Sequence, residues 1–573
     1  MSAVTNGHAE SLAWSKPGNH PVLIPIRPKS FRTESFMPEP AAVPQLTEPV
    51  KPAELLCDRH PAADTAFTVI EPDLGSTDLS YGWLKDRSEQ AAAAFAALGV
   101  QPGDRVATLM GKSADLVAVL LGLWRLGAVH VPLFTAFATP AIEVRLSRSG
   151  ASVVIADAAQ LQKLDGLRNK LGLQVIVAGA GAETANKDGG AAHLSALLNA
   201  ESTGFPAVAR SLDDPLVEIF TSGTTGEPKG VPVPVRALEA FHAYLHYGLD
   251  VREDDVFWNV ADPGWAYGLY YGLLAPLYAG RRNLLLRSGF DPELCWQILR
   301  DFKVTNFAAA PTIFRSMRAA RPEGIEGLSV RRASSAGEPL DADTIAWSAK
   351  HLGAAVRDHY GQTEMGMCII NCWEESAARE VRPGSMGFAM PGYTSTVLEM
   401  DSDEAAAPGV KGRVALDVPA SPLFWFNGYT NDPAKTAGRF SPDGRWYYTG
   451  DTGQLDEDGY TYFSSRDDDV IIMAGYRIGP FEVESVLATH PLVQESAVIG
   501  VPDELRGERL EAYVVLRDPS RASDELEAEL QQLVKQQYAA HAYPRTVHFV
   551  EELPKTPSGK LQRFVLRAQH AKE

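Results

Sequence analysis

A short apolar run that empties into a loop of glycines and hydroxyls constrains this chain more than any other stretch. Residues 216–220 read as a buried strand, and Thr221-Ser222-Gly223-Thr224-Thr225-Gly226-Glu227-Pro228-Lys229-Gly230 follows it. Those ten residues hold three glycines, four hydroxyls and one lysine. Glycine lets a backbone approach an anion closely. Consecutive N–H groups and hydroxyls then wrap phosphate oxygens, and the lysine adds charge. The common P-loop needs Gly-Lys-Ser/Thr, whereas Lys229 is followed by Gly230 and Val231. A flexible surface loop has a similar composition, so the meaning of this one depends on the rest of the chain.

The rest of the chain alternates. Residues 84–98, 114–126 and 141–149 have helical patterns, and 104–109, 129–133 and 152–156 read as strands between them. Further strands are expected at 256–260 and 305–310. This alternation predicts parallel sheets with helical crossovers, whose ligands sit beyond the carboxyl ends of the strands. The 573 residues exceed what one core can organise. We expect an α/β protein: a proline-rich arm over 1–52, with nine prolines; a large domain over 53–467; and a small mobile α+β domain over 468–573. The second boundary follows a composition shift at Arg466-Asp467-Asp468-Asp469.

The net charge of −19 argues against nonspecific nucleic-acid binding. The four cysteines are scattered, without zinc spacing, and read as reduced thiols. No stretch reaches the roughly 18 apolar residues of a spanning helix, and the N-terminus has no signal-peptide core. A cytoplasmic protein is expected.

Downstream of the loop come Tyr360-Gly361-Gln362-Thr363-Glu364, Tyr447-Tyr448-Thr449-Gly450-Asp451, Arg466-Asp467-Asp468-Asp469 and Pro557-Ser558-Gly559-Lys560. From about residue 55 to 568 this ordered set resembles the adenylate-forming superfamily of acyl-CoA synthetases, luciferases and peptide-synthetase adenylation domains. Its pattern is most like that of the acetyl-CoA and medium-chain acyl-CoA synthetases. The resemblance implies a two-step reaction: a carboxylic acid attacks the α-phosphate of ATP, releasing pyrophosphate, and a thiol then displaces AMP. Such a site needs phosphate donors, a metal-holding carboxylate, a ribose anchor and a mobile cation.

On this resemblance, Thr221, Ser222, Gly223, Thr224, Thr225, Gly226 and Lys229 cradle the β- and γ-phosphates. Gly337, Glu338 and Pro339 line the adenine by backbone contact, and Tyr360 stacks on it. Asp358, His359, Gly361 and Gln362 also bind the nucleotide. Thr363 contacts the α-phosphate, and Glu364 holds Mg²⁺, an ion that takes oxygen ligands and retains waters. Asp451 accepts the ribose hydroxyls, Arg466 reaches the ribose, and Arg477 binds phosphate. Lys560 bridges the substrate carboxylate and the α-phosphate. The small domain then turns about Asp468, withdrawing Lys560 and bringing Ala474 and Gly475 to the CoA pantetheine.

The acyl pocket is expected from Trp265, Ala266, Tyr267, Ala336 and Gly361. In acetate- and propionate-specific members a tryptophan takes the place of Gly361, so glycine implies room for a short- to medium-chain, branched or aromatic acid. An acetyl-CoA synthetase is one alternative. Others are a ligase that loads a separate carrier protein, a luciferase-like oxygenase and an inactive scaffold. The partners expected are the acid, ATP and CoA, in a monomer or homodimer.

Overall fold

The structure, a computed structural model, describes residues 46–179, 192–221, 228–321, 325–338, 340–466, 469, 471–473, 476–503, 507–538, 542–555 and 561–570. The chain divides into Met1–Met37 and Pro38–Glu573, and every described residue belongs to the second unit. Most of the proline-rich arm therefore lies outside the described residues.

Three sheets organise the fold. The first has seven strands, in the order Ala192–His193, Gln174–Ala178, Val153–Asp157, Arg105–Leu109, Val129–Pro132, Pro215–Thr221, Lys229–Pro234. All its pairings are parallel except the last. The strands in its middle are buried on both faces, as their continuous Val/Ile/Ala runs require. Two helices cover one side. Tyr81–Ala97 is capped by the Ser80 hydroxyl, and Ala114–Leu126 by that of Ser113. Gly127 ends the second helix at φ 79°, a conformation that costs glycine little. These helices pack closely: a Cβ on Gly122 would stand 2.5 Å from that of Ala91. The alanine-rich face seen in the sequence is what permits this approach.

The second sheet has thirteen strands, with a parallel part and an antiparallel part. Thr65–Ile70, Asn283–Leu286, Phe257–Asn259, Asn306–Ala309, Arg332–Ala336 and Arg357–Gln362 run parallel. From Gly366–Ile370 onward the strands are antiparallel, ending in Ser395–Leu398, Gly412–Asp417, Trp446–Leu455 and Thr461–Arg466. Chain order explains the change. Thr363, Glu364 and Met365 form a hairpin turn, too short for the helical crossover that a parallel partner needs.

The third sheet, with two helices, Pro480–Leu487 and Asp524–Gln537, forms the small C-terminal domain around its own core of Ile471, Val483, Val498, Val514, Leu530 and neighbours. Its long hairpin joins Val493–Asp503 to Gly507–Leu516. Cys57, Cys295, Cys368 and Cys372 are buried free thiols. Among the described residues no helix is long and apolar enough to cross a membrane.

Candidate active site

The carboxyl ends of parallel strands from both large sheets open on one crevice of about 2280 Å³. Segments following Arg105–Leu109, Val153–Asp157, Phe257–Asn259, Asn306–Ala309 and Arg332–Ala336 all line it. This is where an open α/β sheet holds its ligand.

The glycine-rich loop joins two strands. Pro215–Thr221 and Lys229–Pro234 are antiparallel partners, with Thr221 directly opposite Lys229. Both residues line the crevice. Ser222, Gly223, Thr224, Thr225 and Gly226 lie outside the described residues, on the chain between them.

The strand Arg357–Gln362 carries the most densely bonded part of the site. Tyr360 donates its hydroxyl hydrogen to Oδ2 of Asp451, and the Gln362 amide donates to the same oxygen at 2.7 Å. Gln362 also donates to the Thr449 carbonyl at 2.8 Å and accepts from the Tyr447 hydroxyl. Two stretches about ninety residues apart are thus joined at one buried carboxylate. Asp451 faces Arg466 across the antiparallel pair Trp446–Leu455 and Thr461–Arg466. The side chain of Arg466 lies outside the description, as does that of Arg477, whose backbone pairs with Ile472.

Glu364 is buried and accepts from the Tyr429 hydroxyl at 2.9 Å. Arg439 donates to that same hydroxyl at 3.1 Å and to the Thr449 carbonyl at 2.9 Å. The Lys229 ammonium stands 5.2 Å from the centre of the Tyr429 ring. Neither Tyr429 nor Arg439 was anticipated. They are a lone tyrosine and a lone arginine in a stretch without patterned spacing, and only the fold brings them to Glu364. The Thr363 carbonyl accepts from Tyr270. Among the described residues no three His, Cys, Asp or Glu side chains cluster to hold a metal. Glu364 fits a magnesium ion that takes its other ligands from phosphates and water.

His359 lines the crevice, and both its ring nitrogens have partners inside the protein: Nδ1 lies 2.7 Å from the Tyr244 hydroxyl and Nε2 3.1 Å from the Asn371 carbonyl. Burial drives its pKa down to about 3. Gly361 was read as spare room. A Cβ there would lie 2.2 Å from the Gly366 carbonyl oxygen and 2.6 Å from the Met367 Cα. Glycine is demanded at this position by the backbone across the hairpin.

Asp358 lines the crevice, and burial pushes its carboxyl up to about 7, against hydrogen bonds from the His359 and Leu340 backbone. Gly337 adopts φ 98° and Ala336 is buried. The Glu338 carboxylate accepts from Thr312 and Arg315, and all three residues line the crevice. Pro339 is outside the described residues. Trp265 packs against Phe134 and Phe137 with ring centres 5.5 and 5.4 Å away, and Ala266 and Tyr267 line the crevice beside it. Lys112 and Asp262 form a further pair in the wall. Burial lowers the lysine's pKa and raises that of the aspartate, and each charge opposes the other's shift.

The small domain closes one side. Lys555 and Leu561 pair in an isolated bridge, and both line the crevice. Lys560 lies between them in sequence, outside the described residues, as do Asp468, Ala474 and Gly475. Asp469 is held by Arg563 at 3.2 Å and by Arg567 at 2.6 Å, and Arg563 forks onto Glu484 at 2.8 Å. Glu482 meets Lys411 and Ser464 of the large domain, and Tyr538 of its own.

Comparison with known proteins agrees with this arrangement. The profile described as AMP-binding enzyme matches residues 55–429, and the one described as AMP-binding enzyme C-terminal domain matches 482–560. The acetyl-coenzyme A synthetase of Bacillus subtilis (strain 168) is 35% identical over 489 residues, covering 85% of this chain and 84% of that protein. A crystal structure of Brucella canis acyl-CoA synthetase superposes with a TM-score of 0.72 at 43% identity, covering 92% and 95% of the two chains. The anthranilate CoA ligase AuaEII, in complex with anthranoyl-AMP, superposes with a TM-score of 0.82 at 28% identity, covering 93% and 99%.

Proposed function

This chain belongs to the AMP-binding enzyme family, within which it reads as an acyl-CoA synthetase, and from that premise we propose that it converts a short- to medium-chain, branched or aromatic acid into its CoA thioester through an acyl-adenylate. One observation carries the reading. Tyr360 and Gln362 converge on Asp451 in the crevice that also holds Thr221, Lys229 and Glu364. A buried carboxylate oriented by Tyr360 and Gln362 suits a ribose diol, and the phenol ring gives a flat surface for a base.

The chain's own residues act mainly by position and charge. Thr221 and Lys229, with the loop between them, hold the outer phosphates at the hairpin tip. Glu364, oriented by Tyr429, is the protein ligand for magnesium, which when bound neutralises phosphate charge and favours loss of pyrophosphate. Arg439 adds positive potential behind it. Lys560, on the resemblance, aligns the acid's carboxylate with the α-phosphorus. The carboxylate oxygen forms the P–O bond as the bond to pyrophosphate breaks. In the second step the CoA sulfur attacks the acyl carbon and AMP leaves. That step follows a turn of the small domain about Asp468 that brings Ala474 and Gly475 to the pantetheine.

The test is mass-spectrometric detection of acyl-CoA and AMP, with ATP, Mg²⁺, CoA and acids from acetate to dodecanoate, including branched and aromatic ones. Lys560→Ala should abolish ATP–pyrophosphate exchange yet still form thioester from supplied acyl-adenylate. Loss of both steps would refute that division of labour. Acyl-adenylate without thioester would shift the acceptor from CoA to a carrier protein.

A further inference from the structure

The direction of one hydrogen-bond chain behind the acyl end of the crevice can be worked out from its members. His359 is buried and neutral, so its ring carries one proton. Nε2 lies 3.1 Å from the Asn371 backbone carbonyl, which can only accept. The proton therefore sits on Nε2, and Nδ1 presents a lone pair. The Tyr244 hydroxyl, 2.7 Å away, must donate to it. Having spent its proton, Tyr244 can only accept from the Tyr267 hydroxyl at 3.1 Å. Tyr267 has then spent its proton as well, and its oxygen keeps lone pairs alone. Tyr244 is fully enclosed and His359 is buried at the crevice wall, whereas Tyr267 is partly accessible and lines the crevice beside Trp265 and Ala266. The reverse direction would set the Nε2 lone pair against a carbonyl oxygen in a dry interior, which is costly.

We infer that Tyr267 is a specificity residue that offers the acyl group a hydrogen-bond acceptor, so that the enzyme favours acids bearing a hydroxyl or amino donor over unsubstituted acids and over acids with a carbonyl or ether at the same place. The inference rests on the synthetase reading above and narrows its substrate class. A donor on the acid replaces the water it leaves behind. A carbonyl or ether oxygen there faces a second acceptor and loses its own water without return.

Matched acids test this: butanoate, 3-hydroxybutanoate and 3-oxobutanoate, and benzoate with its hydroxy and methoxy derivatives. The readout is kcat/KM for acyl-CoA formation by the wild type, Tyr267→Phe and Tyr244→Phe. In the wild type at least one hydroxy acid should exceed both its unsubstituted and its oxo or methoxy partner by about tenfold. Tyr267→Phe should bring that ratio near one. Tyr244→Phe frees the Tyr267 proton, so the oxo or methoxy acid should gain on its hydroxy partner. A purely structural role for Tyr244 would not produce that reversal. Turnover without any hydroxyl advantage, or an advantage that survives Tyr267→Phe, overturns the inference alone. No thioester from any acid overturns the synthetase reading, and this inference with it.

Discussion

Tyr429 donates to Glu364 at 2.9 Å across 65 residues of chain, and the same hydroxyl accepts from Arg439. The carboxylate proposed to hold magnesium is therefore aimed by a residue with no place in the recognised set. Tyr429→Phe should lower adenylation kcat/KM roughly tenfold, about the worth of one hydrogen bond to a charged group. Raising Mg²⁺ should recover part of the loss, as seen in ATP–pyrophosphate exchange over a magnesium titration. A loss indifferent to magnesium would show that Tyr429 serves packing alone.

Asp451 is the shared acceptor of Tyr360 and Gln362. Asp451→Ala should raise KM for ATP by roughly ten- to a hundredfold, since two charge-assisted bonds to a ribose are lost. Gln362→Leu removes a positioning donor and should cost less. Isothermal titration with ATP would order the two; equal losses would mean that Gln362 touches the nucleotide itself.

Burial raises the Asp358 carboxyl to about 7, far above its value in an unfolded chain. Between about pH 4 and 7 the folded state then keeps a proton that the unfolded state has lost, so this residue's contribution to stability declines as pH rises. Asp358→Asn, which cannot ionise, should match the wild type in Tm at about pH 4, draw ahead as pH rises toward 7, and exceed it most at pH 8. A gain equal at about pH 4 and at pH 8 would mean that the carboxyl is ionised throughout.

A bulky residue at 361 cannot simply plug the acyl pocket. The Gly366 carbonyl stands where its Cβ must go. Gly361→Ala should destabilise by roughly 2 kcal/mol or more through forced backbone movement, measured by urea unfolding. Gly361→Trp should lose activity on all acids before it gains any preference for acetate. A stable Gly361→Trp variant with clean acetate selectivity would contradict the close approach described here.

Glu482 is the meeting point of Lys411 and Ser464 from the large domain and Tyr538 from the small one. Lys555 and Leu561 face the crevice in this arrangement. Lys411→Ala should therefore slow adenylation, by about threefold for a half-exposed contact, with less effect on thioester formation from supplied acyl-adenylate. Equal slowing of both steps would remove any preference of the latch for one orientation.

Much of the large domain was legible because period and punctuation agree. Residues 114–126 are apolar apart from Asp115 and Arg125, begin after Ser113 and end at Gly127, and the helix runs Ala114–Leu126. The strand before the glycine-rich loop was equally plain, but its partner was not. Lys229–Pro234 contains two prolines, which obscured a strand that the fold places at a sheet edge. The antiparallel half of the large sheet was missed because nothing local in Thr363-Glu364-Met365 distinguishes a hairpin turn from a loop leading to a helix. Within the site, patterned stretches announced Tyr360, Gln362 and Asp451. Tyr244 and Tyr429 did not stand out, because their roles arise from contacts 115 and 65 residues away, and Arg439 reaches Glu364 only by way of Tyr429. The closeness at Gly361 depends on a register shift between Tyr360 and Gly361, which no single-residue signal encodes.

Thr461–Arg466 is fastened to Trp446–Leu455 as far as the pair Asp451 and Arg466, while Asp469 is already tied into the small domain by Arg563 and Arg567. Any turn of one domain against the other has only the short length of chain between those anchors to serve as its axle. A joint that short leaves few dihedral angles to search. On the proposed mechanism the small domain would travel along an arc with a repeatable end point, and the strand proposed to hold the nucleotide, on the fixed side of the bearing, would not need to be rebuilt each cycle.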